Sequence, residues 1–277
     1  MKFLSHPLSL PLVITNINHF SVIKQNITIY EWLKQSVRLM ADGFVIFDPD
    51  GQLLNLYGSC FIRDGYQIKV FDTSNLYISA RYNPFVCVRD DGDVLKLVSA
   101  FAEGTKGNGE SGDMRFAMAE TSLLTALFSY VSEELPDDER NLYTVSYILK
   151  HMLPYDDALR YYNDTDYVHV IDVIFEDHAE RSPHSLAAKS YEDFKHIAGN
   201  NAYSIIQSCI KRLEPFSKDA AKAYFENDEL NFDSFGKDNS NKTVLFVSAG
   251  QSETFDFLAS LLYTQLLDTL CHKSMKE

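Results

Sequence analysis

The first residues that could do chemistry form a glycine-rich stretch, GTKGNGESGD, over Gly104–Asp113. A nucleotide-binding phosphate loop needs Gly-x-x-x-x-Gly-Lys-Ser/Thr between a strand and a helix, so that backbone N–H groups and a lysine converge on phosphate. Here the stretch joins two segments of helical periodicity, and Gly-Lys-Ser/Thr occurs nowhere, since Gly236-Lys237 is followed by Asp238. We therefore interpret this stretch as a flexible surface loop.

Two histidines, His178 and His184, stand among acidic residues and could be taken for metal ligands. Neither HExxH nor another ligand spacing is present. The apolar positions of 168–178 recur at helical intervals, which predicts that Asp172 lies on a helix surface rather than at the end of a strand. We expect a solvated helical face here, and no metal.

The overall composition excludes several classes of protein. The chain has 277 residues, of which 45% are hydrophobic, and its formal net charge is −14. This composition is typical of a folded protein, and its acidity argues against bulk attraction to nucleic acid, which would need a local basic patch. No run of about 18 apolar residues occurs, and the four separated cysteines indicate reduced thiols. We expect a cytoplasmic protein without a transmembrane segment or signal peptide.

The first third of the chain has an α/β pattern. Tyr30–Met40 is predicted to be a helix, and the apolar run Phe44–Phe47 a strand buried on both faces. Asp48-Pro49-Asp50-Gly51 predicts a turn, because proline restricts φ and glycine accepts positive φ. A second helix, Gln52–Arg63, and a second strand, Tyr66–Phe71, follow, as in a parallel βαβ unit.

From Asp93 onward the pattern is helical. Pro136 and the acidic residues after it suggest the start of one helix. A strand is expected again only at Thr243–Val247. The remaining helices are predicted at Val94–Phe101, Phe116–Ser132, Val168–Arg181, Ser185–Ala198, Ala202–Leu213 and Phe255–Leu270. The order of elements predicts an α/β sheet interrupted by an all-α insertion.

Several segments, in this order and spacing, resemble conjugative coupling proteins of the TraG type. The resemblance extends from about Ile17 to the C-terminus. The segments are FVIFDPDGQL (44–53), GYQIKVF (65–71), RYNPF (81–85), 122–130, Arg140-Asn141, 191–199 with 202–216, and TFDFLASLLYTQLL (254–267).

The resemblance implies a RecA-like ATPase fold, here incomplete, with an all-α domain. Residues 1–92 and 236–277 would form the α/β domain, and 93–235 the all-α insertion. Family members form a hexamer at a type IV secretion channel, recruit the relaxase–DNA complex and use ATP to drive DNA transfer. Their all-α domain is implicated in choosing cargo.

The residues near the implied nucleotide depart from the family pattern. Aligned without gaps, the phosphate loop falls on Ser21–Thr28; with a gap, the strand lies at Phe20–Ile23 and the loop shrinks to Lys24–Ile27. Neither alignment contains a glycine, so β-carbons would crowd the phosphate. The nucleotide-proximal residues carried over are Thr28, Lys24 (as a substitute lysine), Asp48 and Asn83. Alternatively, 48–51 is a turn without ligand and 81–84 a turn that packs Tyr82 into the core.

Further departures concern catalysis. Asp50 replaces the family's lysine near the phosphates, Ala249-Gly250 replaces its Pro-Asp, and Glu277 precedes the expected acidic Walker B strand. The resemblance implies ATP and Mg²⁺ as cofactors, but without these groups we assign neither, name no catalytic residue, and expect no ATP hydrolysis by the chain alone.

The expected partners follow from the same resemblance. The primary hypothesis is a coupling-protein homologue that recruits a relaxase or conjugation accessory protein, peripheral at the cytoplasmic face of the membrane through these partners. DNA binding is not expected. If 244–247 or a neighbouring strand forms an exposed edge, another chain could supply the missing half, or the protein could pack on the intact coupling protein. The alternatives are a non-enzymatic regulator of the relaxase or hexamer, and a decayed gene remnant.

Overall fold

The computed structural model describes residues 12–15, 19–22, 43–106, 113–153, 170–235, 242–250, 252 and 254–274. Two compact units divide the chain, and the second is inserted into the first: Met1–Ala80 with Glu229–Glu277, which we call the sheet unit, and Arg81–Asp228, which we call the helical unit. That residues 93–235 act as a separate insertion domain stays a prediction.

The sheet unit is a mixed α/β structure. Its five described strands follow the order β2-β1-β3-β5-β4. Two described helices accompany them. The strands are β1 (Leu12–Thr15), β2 (His19–Val22), β3 (Gly43–Phe47), β4 (Gln67–Asp72) and β5 (Thr243–Ser248), and the helices are α1 (Gln52–Arg63) and α9 (Asp256–Ser274).

Strand β5 lies inside the sheet and pairs in parallel with β3 on one side and β4 on the other. Its residues from Thr243 to Val247 are all buried, as expected of a strand covered on both faces. We expected 244–247 or a neighbouring strand at an edge of the sheet. The first choice is wrong, because β5 lies between β3 and β4; its neighbour β4 lies at one edge of the described sheet.

Strands β1 and β2 run antiparallel, β1 against β3 and β2 against β1. The alignment with a gap placed a strand at Phe20–Ile23 before a phosphate loop. The structure has β2 at His19–Val22, at the other edge of the described sheet and in an antiparallel hairpin. The described sheet is therefore mixed, with only three parallel strands. A short connection between β1 and β2 favours antiparallel pairing, since parallel neighbours need a long crossover.

The core of the sheet unit lies between α1 and one face of the sheet. Phe61 of α1 contacts Phe44 of β3 and Phe246 of β5 at ring centroid distances of 5.5 and 5.9 Å. Tyr66 closes the cluster at 5.4 Å from Phe61. These rings meet edge to face or tilted, which is the favoured geometry for aromatic pairs. The predicted helix and strands of this region are confirmed, with β4 shifted by one residue from its expected start.

The helical unit surrounds one long helix, α3 (Met114–Glu134), which packs most extensively against α6 (Leu186–Ala198). Ten residues of α3 are buried, so it is the central helix of this unit. The other helices are α2 (Asp91–Gly104), α4 (Leu142–Lys150), α5 (Val170–Arg181), α7 (Ala202–Leu213) and α8 (Asp219–Phe225).

The predicted helix start at Pro136 is wrong. Residues 136–139 form a turn, and α4 begins at Leu142 because the Asn141 side chain accepts a hydrogen bond from the Thr144 backbone N–H at 2.9 Å. Asparagine is a favoured residue at this capping position. The helix therefore begins after Asn141 and not at the upstream proline and acidic residues. The expected helix Phe116–Ser132 extends by two residues at each end.

Aromatic side chains join the helices of this unit. Phe128 of α3 stacks on Phe85 at 5.5 Å and contacts Phe101 of α2 at 5.6 Å. Phe101 in turn contacts Phe216, and Phe216 contacts Phe225 of α8, each at 5.7 Å. The helical unit thus has a continuous apolar core of its own. In the part of the chain that the structure describes, no helix of either unit is both long and apolar enough to cross a membrane.

Candidate functional site

Asp48, a predicted nucleotide-proximal residue, lies at the carboxyl end of β3 and is 2% exposed. Its carboxylate accepts hydrogen bonds from the backbone N–H groups of Leu53 at 3.1 Å and Leu54 at 2.8 Å. These donors belong to the first turn of α1, where N–H groups have no partner within the helix. Asp48 therefore caps α1 across the turn, and its position beside a nucleotide stays a prediction.

The geometry of this turn depends on Gly51. Its φ of 69° lies in the left-handed region, which a β-carbon makes unfavourable. The turn is closed by a hydrogen bond from Gly51 N–H to the Asp48 carbonyl at 3.2 Å. Asp50 is exposed, and its Oδ1 lies 3.4 Å from the Gln52 N–H of the same turn. The reversed charge at this position therefore faces solvent.

A second polar cluster lies at the carboxyl ends of β4 and β5. Thr73 donates its hydroxyl hydrogen to Asp256 Oδ1 at 2.5 Å, and Asp256 Oδ2 accepts the backbone N–H of Ser252 at 3.1 Å. The Thr73 N–H also donates to the Ser248 carbonyl at 3.1 Å. Asp256 thus begins α9 and joins it to the strand ends.

Two other predicted residues of the nucleotide region, Lys24 and Thr28, lie outside the described residues.

Asn83 belongs to the helical unit and is 3% exposed. Its side-chain oxygen accepts the Phe85 N–H at 3.1 Å and caps the short 3₁₀ turn Pro84–Cys87, while Nδ2 donates to the Arg140 carbonyl at 2.8 Å. The Asn83 N–H donates to Asp228 Oδ1 at 3.3 Å. Asn83 lies near the first residue of the helical unit, and it therefore links Asp228, the last residue of that unit, to the turn before α4. A role beside a nucleotide stays a prediction.

The neighbouring Tyr82 is fully buried, which confirms the alternative that this turn packs a tyrosine into the core. Burial raises the pKa of Tyr82 well above its usual value, because a phenolate would lose its hydration. The Tyr82 hydroxyl therefore stays protonated at neutral pH, and it is a core group rather than an acid–base group.

His178, expected on a solvated face, is only 1% exposed. Its Nδ1 lies 3.0 Å from Glu134 Oε1, and its Nε2 lies 2.8 Å from Ser185 Oγ and 3.3 Å from Glu133 Oε2. Burial raises the pKa of Glu133, and a hydrogen bond from Arg181 lowers that of Glu134. His178 shares its helix face with the buried Ile171 and Phe175, a spacing that could have predicted its burial.

Asp172 lies on helix α5, as predicted, but it is not simply solvated. It accepts a hydrogen bond from the Tyr191 hydroxyl at 2.9 Å and forms an ion pair with Lys195. Both partners lie on α6, so Asp172 joins α5 to α6. Among the described residues, no group of three His, Cys, Asp or Glu side chains is arranged to hold a metal ion.

A cavity of about 600 Å³ opens on the helical unit. Tyr143 and Tyr147 of α4 form one side, with ring centroids 6.4 Å apart. The rest of the lining includes three acidic residues, together with Asn141, Thr144, Lys222 and Asn227. The acidic residues are Asp138 and Glu139 in the turn before α4 and Glu226 just after α8. Its size falls within the range of ligand-binding clefts.

One ammonium group already lies in this cavity. Lys222 Nζ is 5.4 Å from the Tyr143 ring centroid and 3.6 Å from Glu226 Oε1. An ammonium ion over an aromatic face is attracted by the ring quadrupole, and a carboxylate adds Coulomb attraction. Three carboxylates to one lysine give the cavity a negative charge, so it repels phosphate groups and attracts cations.

No local pattern in the sequence predicts this cavity. The pattern that could have indicated its residues is the i,i+4 spacing of Tyr143 with Tyr147 and of Lys222 with Glu226. This spacing places each pair on one helix face. What brings the two pairs together is the contact between α4 and α8, which no local pattern shows.

Comparisons with known proteins identify the family. The family model described as type IV secretory system conjugative DNA transfer matches residues 39–277, which span both units. No curated protein matches the chain. The match agrees with the resemblance of 44–53, 65–71 and 81–85 to TraG-type coupling proteins. The chain therefore belongs to the conjugative DNA-transfer family of type IV secretion systems.

Proposed function

We propose that the protein takes part in conjugative DNA transfer by recruiting relaxase–DNA cargo to a type IV secretion system, without hydrolysing ATP by itself. The observation that supports this most directly is the helical unit, Arg81–Asp228, which has its own buried core within a chain of this family. A helical unit of this kind presents a preformed surface to a protein partner, and preformed surfaces bind without a large ordering cost.

The absence of ATP hydrolysis is proposed from the residues of the nucleotide region. Ser21–Thr28 contains no glycine, so no position offers the close backbone approach that phosphates need. The Asp48 carboxylate is occupied by two backbone N–H groups of α1, and Asp50 would repel a triphosphate. On this proposal, the sheet unit is a RecA-like scaffold that does not bind a nucleotide.

The net charge indicates which part of the cargo is contacted. A chain with a formal charge of −14 repels the DNA backbone, so recruitment acts through the protein component, the relaxase or an accessory protein. Such binding should vary little with the length of attached DNA, whereas phosphate contacts would make the affinity fall steeply with salt.

The test is capture of the purified relaxase of the same conjugative system by the immobilised full chain, with and without its DNA, together with ATP-analogue titration and an ATPase assay. We expect capture in both states, no binding of the analogue at millimolar concentration, and no turnover. Failure to capture the relaxase would contradict the recruitment role, and turnover in the purified chain would contradict the inactive nucleotide region.

A second candidate function rests on the side chains of Tyr77 and Ile78, which follow strand β4 and are 86% and 70% exposed. Large exposed apolar side chains mark protein interaction surfaces. On this alternative the protein packs on the intact coupling protein as a regulator. Pulling down that protein, with loss of binding on Tyr77→Ser together with Ile78→Ser, would favour it over relaxase recruitment.

A further inference from the structure

We infer that the cavity between α4 and α8 of the helical unit binds an arginine or lysine side chain from an extended, basic segment of the recruited protein. The inference rests on the proposed recruitment function and names the chemistry of the partner. Three observations support it: the charge of the lining, the arrangement of the tyrosines, and the internal lysine that already occupies a cation position.

The lining combines the two groups that recognise cations. The Asp138, Glu139 and Glu226 side chains are exposed, so their carboxylates are hydrated and reach the cavity without a burial penalty. The ring centroids of Tyr143 and Tyr147 lie 6.4 Å apart, and the two ring planes are tilted by 31°. Tyr147 is 54% exposed, a large fraction for an aromatic ring, and thus presents apolar surface to an incoming side chain.

Lys222 shows where an ammonium or guanidinium group would lie. Its Nζ takes a position between the Tyr143 ring and Glu226, and its side chain is 48% exposed. An exposed lysine is readily displaced, because an exposed ion pair is weak and both partners can be hydrated. An incoming arginine would replace it there, since its planar guanidinium stacks on aromatic rings and pairs with carboxylates in bidentate fashion.

The cavity wall is held in place from inside the helical unit. Asn83 donates to the Arg140 carbonyl at 2.8 Å, and Arg140 donates through Nε to the Leu135 carbonyl at 2.7 Å. Asn141 caps α4 directly beside Asp138 and Glu139. The turn that bears two of the carboxylates is therefore fixed before a ligand arrives, which lowers the entropic cost of binding. Asn83 acts as a positioning residue for this cavity.

The volume indicates a peptide rather than an isolated ion. About 600 Å³ exceeds what one guanidinium fills, and it accommodates a long basic side chain with its neighbouring residues. A free polyamine has the same cationic chemistry, so the experiment must distinguish the two sources. Nucleic acid is disfavoured because its phosphates would face three carboxylates.

The test measures fluorescence anisotropy of a dye-labelled Gly-Arg-Gly-Arg-Gly peptide with the full-length chain, next to the same peptide with citrulline in place of arginine. Citrulline keeps the shape of the side chain and removes its charge. We expect the affinity of the citrulline peptide to be lower by a factor of about 10 or more. Equal binding of the two peptides would overturn the inference.

Variants locate the binding to this cavity. Tyr147→Ala and Glu226→Gln should each lower the affinity for the arginine peptide by about 3- to 10-fold. The matched controls are Tyr77→Ala, which removes an 86% exposed tyrosine of the sheet unit, and Glu192→Gln, which removes an exposed carboxylate of α6; both should bind as the unmodified chain does. Equal losses in the controls would contradict the location.

Lys222→Met gives the most specific result. Removing the internal ammonium vacates the Tyr143 face and the Glu226 carboxylate, so the arginine peptide should bind about 3- to 10-fold more tightly. If Lys222 only supported the local structure, its loss would weaken binding, and that result would overturn the inference. Spermidine binding that exceeds peptide binding and depends on Tyr147 would show a polyamine site and would also overturn it.

The two proposals can fail separately. If the relaxase is captured equally by the unmodified chain and by Tyr147→Ala, and the peptides bind alike, only the cavity inference falls. If the arginine peptide binds as expected but the relaxase is not captured, the cavity is supported as a basic-peptide site and the proposal of relaxase recruitment is contradicted.

Discussion

Asp48 accepts a hydrogen bond from the backbone N–H of Leu54 at 2.8 Å, which connects the end of a buried parallel strand to the first turn of the following helix. A second bond, to the Leu53 N–H, completes the cap. An aspartate four residues before the start of a helix thus satisfies two N–H groups that a capping residue directly before the helix would satisfy. Gly51, at the usual capping position, has no side chain that could accept these bonds, and Asp48 accepts them instead.

Replacing Asp48 by alanine should lower the free energy of unfolding by about 1–2 kcal/mol, because both N–H groups lose their acceptor. The local measurement is amide hydrogen exchange, which should become faster at Leu53 and Leu54. Asp50→Ala is the matched control, since Asp50 is exposed and makes one bond of 3.4 Å. Equal changes in the two variants would contradict the capping role of Asp48.

Replacing His178 by leucine should lower the free energy of unfolding by about 1–3 kcal/mol. The change leaves Glu134 Oε1 and Ser185 Oγ without their imidazole partner at the junction of α3, α5 and α6. His184→Leu is the control, because His184 is exposed on the neighbouring loop. Urea unfolding followed by circular dichroism measures both; an unchanged His178→Leu variant would show that apolar burial alone holds this junction.

Arg212 and Glu120 form an ion pair at 3.0 Å, and the side chain of each is 7% exposed. Arg212 also donates to the Ala102 carbonyl and to Thr105 Oγ1, so it joins α7 to the end of α2. Arg212→Met would leave the Glu120 charge buried and should lower the free energy of unfolding by about 3–5 kcal/mol.

The double variant Glu120→Leu/Arg212→Met should recover most of that loss, since a buried pair replaced by apolar residues leaves no unpaired charge. Thermal unfolding of the two variants and the unmodified chain measures the difference. A double variant that is less stable than Arg212→Met would contradict this account of the pair.

Asp93 gives the helical unit a dependence on pH. Burial acts to raise the pKa of Asp93, but hydrogen bonds from Arg89 at 2.9 Å and Lys96 at 3.2 Å prevail and hold it below its usual value. A carboxylate whose pKa is lower in the folded state stabilises the fold above its unfolded pKa, and this contribution is lost as the pH falls through the folded pKa.

Asp93→Asn should therefore lower the free energy of unfolding by about 1–2 kcal/mol at neutral pH, and by progressively less as the pH falls below about 4. Urea unfolding at a series of pH values measures the difference. Asp91→Asn, an exposed residue of the same helix turn, should show a change of only a few tenths of a kcal/mol. A loss for Asp93→Asn that stays constant with pH would contradict the ion-pair explanation.

Local sequence patterns predict the individual helices and strands, and short ordered segments indicate the family. Helices α1 and α7 begin and end where the periodicity predicts, since a helix depends on hydrogen bonds and contacts between residues three or four apart. The αβ character of the first third followed from an apolar run and a turn, which are also local. The resemblance of short ordered segments to coupling proteins was confirmed by the match over 39–277.

The contacts between residues far apart in the chain are known from the tertiary structure and not from local sequence patterns. The position of β5 between β3 and β4, the burial of His178 beside Glu134, and the meeting of Tyr143 with Lys222 all join residues far apart in the chain. Such contacts depend on how whole elements pack, because strand order and helix pairing bury apolar faces that a local pattern shows but cannot assign to a partner.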